Sequence, residues 1–399
     1  MRLPIFLALA LATPVFGDAK RLELGYPNLA HRIQIVFPEN YDPAKKWPLV
    51  LYYHGTDGTP DTKLIRHHTG EEGWFTVGMT YVQRGQVTFT TDTRNKELTI
   101  LRSVRHHLVS KYNVDPKRTY VAGFSKGGWI SGLLLQADPE LAGAVILGAG
   151  HINQIEAKPY KFGRRTPVFI GIGRQDANYP FALNAITFFR GLGATTTFDT
   201  WHDLEHNFPQ GGSPALTQWF ALEGNPTADH AAAANDWSTT RLTEIKAIPD
   251  PVNRWVALLD MQACPYHGFL DDSHEAAVSK ARTDLEATAA VAIEAKGLAA
   301  HRNLLRDELA ERSKENYQKM LKAYLDLANS IPDSRQGDIA RHDHYRIKTL
   351  LQHFDEQEKV QKENSEPSGP KKEDAPFDPS KAHPPTDDRQ RIPLNPLVR

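Results

Sequence analysis

With 399 residues, the chain has material for more than one compact unit and for a large core. Its 47 lysines and arginines nearly balance 48 aspartates and glutamates, for a formal net charge of −1, which excludes a global basic field that would gather nucleic acid or anionic membrane. One cysteine, Cys264, excludes an intrachain disulfide, so stability has to come from the core, and Cys264 itself reads as a small buried hydrophobe.

The opening segment "MRLPIFLALALATPVFGDAK" carries Arg2, an apolar run from Leu3 to Phe16, then the small Gly17 before polar residues. That pattern predicts a secretory signal peptide over residues 1–17, cut near Gly17, and a secreted or periplasmic protein. The run is shorter than the roughly 20 residues that span a bilayer, so no stable membrane anchor is expected.

From residue 31 to about 223, strand-like and helix-like segments alternate. "HRIQIVFP", "WPLVLYYHG" and "GMTYV" read as strands, and "LTILRSVRHHLVSKY" has helical spacing at Leu98, Leu101, Val104, His107 and Leu108. The strand "RTYVAGF", the helix "KGGWISGLLLQA", the strands "AGAVILGAG" and "TPVFIGIG", the helix "PFALNAITFFRGLG" and the strand "TTTFDTW" follow. Continuous apolar strands between helices predict a mostly parallel sheet covered on both faces, a three-layer α/β/α sandwich over residues 18–224. Residues 225–360 read as helices rich in Ala, Leu, Glu, Lys and Arg. Within them "LLRDELAERSKENYQKMLKAYLDLANSI" predicts one amphipathic helix stopped by Pro332, packed into a bundle or offered to a protein partner. Residues 361–399, rich in proline and charge, are expected to be a disordered tail.

The strongest chemical signal is Gly123-Phe124-Ser125-Lys126-Gly127, a G-x-S-x-G between a β-branched strand and a small-residue helix. A serine in a sharp strand-to-helix turn needs small residues two places either side, which Gly123 and Gly127 supply. The turn also sets Ser125 at a helix N-terminus, where the Lys126 N–H favours a developing oxyanion. A second donor is expected from "PLVLYYHGTDGTPD", with Thr56 N–H the candidate and His54 shaping the loop by hydrogen bonding. A carboxylate at a later strand end comes from "TPVFIGIGRQDANYP" as Asp176, since the rival end "VILGAGHINQIE" has none before Glu156.

The base should follow the last strand. "TFDTWHDLEHNFPQGG" holds His202 and His206 in H-x-x-E-H lettering that a zinc site would use on a sustained helix. The β-branched approach and the breakers Asn207, Pro209, Gly211 and Gly212 argue for a loop instead, with no metal and with His206 free to reach Ser125. His54, His151, Trp201 and His202 are candidates for pocket lining, while for Trp74, Trp129 and Trp201 core packing is the readier reading.

Three features together, "VFPENYDPAKKWPLVLYYHG", "KYNVDPKRTYVAGFSKGGW" and "HNFP", resemble the α/β-hydrolase esterases that include polyhydroxybutyrate depolymerases and feruloyl or acetylxylan esterases. The resemblance covers residues 31–223 and implies a Ser125–Asp176–His206 triad, no cofactor, and a small-molecule or polymer ester as substrate. Two departures bear on the substrate rather than the reaction: the group's cysteines near the oxyanion loop and elbow are absent, and Phe208 stands where tryptophan is usual. A serine peptidase on the same fold, or a vestigial hydrolase acting through its helical half, are the competing readings.

Overall fold

The computed structural model describes residues 20–26, 29, 31–56, 58–82, 90–151, 161–162, 165–202, 204–224, 228–311 and 313–365. The expected signal peptide and residues 366–399 of the expected tail lie outside the described residues, while residues 361–365, expected to be disordered, are helical.

Eight strands form one sheet: β1 (Arg21–Leu24), β2 (Ile33–Val36), β3 (Trp47–Tyr53), β4 (Phe75–Met79), β5 (Val114–Phe124), β6 (Gly143–Leu147), β7 (Pro167–Gly173) and β8 (Thr195–Trp201). Their order is β1-β2-β4-β3-β5-β6-β7-β8. β2 runs antiparallel to both its neighbours, and every pair from β4 through β8 is parallel. The central strands β3, β4, β6 and β7 are buried at every residue, as strands covered on both faces must be.

The connecting helices are α1 (Lys63–Thr69), α2 (Thr91–Tyr112), α3 (Lys126–Ala137), α4 (Tyr179–Gly191) and α5 (Pro214–Gly224). Three elements have no counterpart among the sequence expectations: β1, a short edge strand of half-exposed residues, α1, only seven residues long, and α5. α2 begins at Thr91, ahead of its apolar periodicity, because the Thr90 side chain caps the first turn by accepting from Thr93 N–H.

Six helices follow: α6 (Ala228–Ala247), α7 (Pro251–Ala263), α8 (Asp272–Glu286), α9 (Ala289–Ala310), α10 (Lys314–Ser330) and α11 (Arg335–Ser365), with a 3₁₀ turn at Pro265–Phe269. The single amphipathic helix expected through residues 304–331 is two helices, α9 and α10. Ser313 ends the continuity: its hydroxyl accepts from Asn316 N–H and starts α10 afresh, as a capping serine does.

The described residues up to Leu351 form one compact unit, and the end of α11 from Gln352 belongs to a second. Within the first, helices of the C-terminal half pack directly on the sheet-bearing half. Arg165 ties them together, donating to Glu223 of α5 at 2.6 and 3.0 Å and to the Gly268 carbonyl at 2.9 Å. The helices also enclose charge: Arg346 of α11 grips both oxygens of Glu308 on α9 at 2.7 Å each, and Tyr324 of α10 donates to the same carboxylate at 2.8 Å. All three side chains are buried. Removing one partner of such a pair strands the other charge away from water. Glu308→Ala is therefore expected to cost about 3–5 kcal/mol, read as a lower urea midpoint.

Candidate active site

The turn between β5 and α3 holds Ser125 at φ 55° and ψ −119°, a left-handed conformation that a non-glycine residue adopts only under strain. Neighbouring contacts impose it. Ser125 N–H donates to Leu147 O at 2.8 Å, and a Cβ on Gly123 would lie 2.2 Å from the Gly127 carbonyl carbon. On Gly127 it would lie 1.9 Å from Tyr53 O. Neither backbone can yield, so Gly127→Ala is expected to cost about 3 kcal/mol or more, at or above the upper end of ordinary overpacking, seen as a lower unfolding midpoint.

Ser125, Asp176 and His206 meet at the carboxyl ends of the strands. His206 Nε2 is 2.7 Å from Ser125 Oγ, and His206 Nδ1 is 2.7 Å from Asp176 Oδ2. A carboxylate can only accept, so Nδ1 carries the proton and Nε2 offers its lone pair to the serine hydroxyl. Asp176 is buried, and its second oxygen accepts from Asn178 N–H at 2.8 Å. The Asp176 hydrogen bond, aided by its charge and opposed by partial burial, raises the His206 imidazole above its ordinary 6.5. The residues around His206 form no helix, and both its ring nitrogens are already engaged. Among the described residues, no three His, Cys, Asp or Glu side chains group as metal ligands.

The loop after β3 passes against Ser125: a Cβ on Gly55 would lie 3.7 Å from Ser125 Cβ. His54 is buried and its Nδ1–H donates to Gly55 O at 2.6 Å, while Tyr81 donates its hydroxyl to the His54 carbonyl. Burial lowers the His54 pKa, so the ring stays neutral as a loop-shaping group. Thr56 is exposed at the turn closed by Gly58 N–H on Gly55 O at 3.3 Å. Lys126 opens α3 and lays its ammonium 4.0 Å from the centre of the Tyr81 ring.

Of the pocket-lining candidates, His54 lies on the loop against Ser125, and the others have packing or surface positions of their own. Trp201 is buried in the core, its Nε1–H on Asp199 at 2.8 Å; Gly171 leaves room for its ring, since a Cβ there would lie 2.7 Å from it. His151 stacks flat on Phe188 of α4 at 3.4 Å between ring centres, drawn inward by that aromatic face. His202 is exposed on the wall of a cavity of about 760 Å³ between β8, α5 and α7. Cys264 shares that wall and is half-buried rather than fully so, with burial pushing its thiol pKa up. Trp74 packs against Tyr120 and Phe220 in the core, and Trp129 edges onto Phe181 of α4.

Two residues escape the sequence reading. The Phe124 ring lies 5.3 Å from the His206 ring and backs it, and Asn178 links the acid loop to Gly148 O at 3.1 Å. Phe124 is the variable position of G-x-S-x-G, so the motif lettering carries no signal for it.

No protein-family model matches the chain, and no curated protein matches its sequence. Among solved structures it is similar to a Bacillus cereus carboxylesterase at 19% identity over 44% of this chain and 89% of that one, with a TM-score of 0.39. It is also similar to a phospholipase/carboxylesterase of Dyadobacter fermentans at 16% identity over 52% and 96%, TM-score 0.37. A third is a ferulic acid esterase of Anaeromyces mucronatus at 14% identity over 52% and 89%, TM-score 0.38. The strand order, the antiparallel β2 and the strained serine turn after β5 give the chain the α/β-hydrolase fold, continued by a helical region.

Proposed function

We propose that the protein is an exported serine hydrolase that cleaves carboxylic esters through an acyl-enzyme. The observation that carries this reading is the hydrogen-bonded line Ser125–His206–Asp176 at a strained strand-to-helix turn. His206 Nε2 takes the hydroxyl proton as Ser125 Oγ bonds to the ester carbonyl carbon, and the carbonyl electrons move onto oxygen. The N–H groups of Lys126 and Thr56 face that oxyanion, the first reinforced by the N-terminal end of α3. Asp176 steadies the imidazolium, which returns its proton to the leaving alkoxide; the alcohol departs and the acyl group stays on Ser125. Water then attacks, with His206 as base, freeing the acid and restoring the serine. No cofactor enters these steps.

The His206 side chain is 43% exposed, so the site is open to solvent. The deciding experiment treats folded protein with a fluorophosphonate probe and compares p-nitrophenyl esters with peptides. Labelling on Ser125 and faster turnover of short esters are expected. A clear peptide preference would transfer the reading to a peptidase, and no labelling would leave a vestigial hydrolase. Export predicts a mature protein outside the cytoplasm that begins just after Gly17.

A further inference from the structure

The loop carrying Asp176 is gripped from the helical half of the molecule. Arg174 follows β7 directly and precedes Asp176 by two residues. Its guanidinium gives two N–H groups to Asp343 of α11 at 2.9 Å each, a further contact to Ile339 O at 3.4 Å, and lies 4.3 Å from the centre of the Tyr179 ring. Asp343 is wholly buried and also accepts from Arg346 Nε at 2.8 Å and from His301 Nε2 of α9. With the Arg346–Glu308 pair, two arginines and two carboxylates balance inside the protein.

The Arg174 backbone faces the other way. Its N–H donates to Trp201 O at 2.8 Å, and Gln175 N–H donates to Leu204 O at 2.9 Å, two residues before His206. The short path from the buried guanidinium to the Asp176 carboxylate is therefore tied at both ends, to α11 and to the histidine loop. Burying an ion pair seldom adds net stability over an apolar pair of similar volume. What a two-bond guanidinium–carboxylate contact adds is fixed orientation.

We propose that Arg174 is a positioning residue for Asp176 and that the helical region, through Asp343, belongs to the catalytic apparatus. The proposal rests on the esterase reading above. Its test is the charge-balanced double variant Arg174→Met with Asp343→Leu, assayed on p-nitrophenyl acetate well below its unfolding temperature. kcat is expected to fall about 10- to 100-fold, as for a misplaced catalytic group, with KM changed less than about twofold. Amides of residues 174–178 should also exchange with deuterium faster. If the double variant does not fold, Arg174→Lys, which keeps the charge balance but loses the two-bond contact to Asp343, is read in the same way.

Met320→Ala serves as the control, since Met320 is buried on α10 and makes no hydrogen bond to Arg174. It should lower the unfolding midpoint and leave kcat unchanged. Wild-type kcat with wild-type exchange in the double variant would overturn the proposal, as would an equal loss of kcat in Met320→Ala. A wild-type protein that neither hydrolyses esters nor takes the fluorophosphonate would sink the esterase reading alone. The exchange comparison would still decide whether Arg174 holds the loop.

Discussion

Ser125→Ala is expected to lower kcat for short acyl esters by about 10⁵- to 10⁶-fold, because a nucleophile and its base act as a unit and little survives loss of either. The fold should persist. Alanine keeps the Cβ that already fits the turn, and only Oγ, 2.7 Å from His206 Nε2, is lost. An unfolding free energy within about 1 kcal/mol of wild type would certify the comparison. Residual activity near wild type would remove Ser125 from the mechanism, since a base without a nucleophile has nothing to deprotonate but water.

Asp176→Asn should leave the fold intact and cost about 10⁴-fold in kcat, through the histidine rather than the ester. An asparagine amide turned toward Nδ1 donates where the carboxylate accepts, so it favours the tautomer with the proton on Nε2, which is useless to Ser125. The pH dependence offers a second readout. His206 must be neutral to act as base, and its hydrogen bond to Asp176 raises its pKa above 6.5. Wild-type kcat/KM should therefore rise with pH through that raised value, and the acid limb should move to lower pH in Asp176→Asn. The stability sign follows from the same shift. A histidine pKa raised on folding contributes stability that is complete below its unfolded value and lost as pH rises through the folded one. The wild-type advantage in urea midpoint over Asp176→Asn should shrink across that window.

The elbow was legible in the sequence because strand, serine and helix follow each other without interruption and Gly123 is demanded by Gly127 of the same turn. The reason for Gly127 itself is tertiary, the close approach of Tyr53 O on β3. Asp176 and His206 were legible by position, each just beyond a strongly apolar or β-branched strand. The break between α9 and α10 was not, because apolar spacing runs on across Glu311 while the Ser313 cap resets the helix.

The buried charges were the least legible of all. Charged residues such as Glu308, Asp343, Arg346 and Arg174 are mostly exposed in proteins, so nothing in the sequence marks these as buried. Their burial depends on one another's charge, which sequence spacing on separate helices does not express. The core reading of Trp201 holds, and Gly171 on the neighbouring strand leaves the room its ring takes. From residues alone, then, the central strands, the serine turn and the order of Ser125, Asp176 and His206 along the chain could be read, because continuous apolar runs and a strand–serine–helix succession are visible in neighbouring residues. Only the tertiary structure decided that the acid loop is held by a helix some 170 residues later, because the separation of Arg174 and Asp343 in sequence is 169 and their pairing exists only where the fold removes water from both.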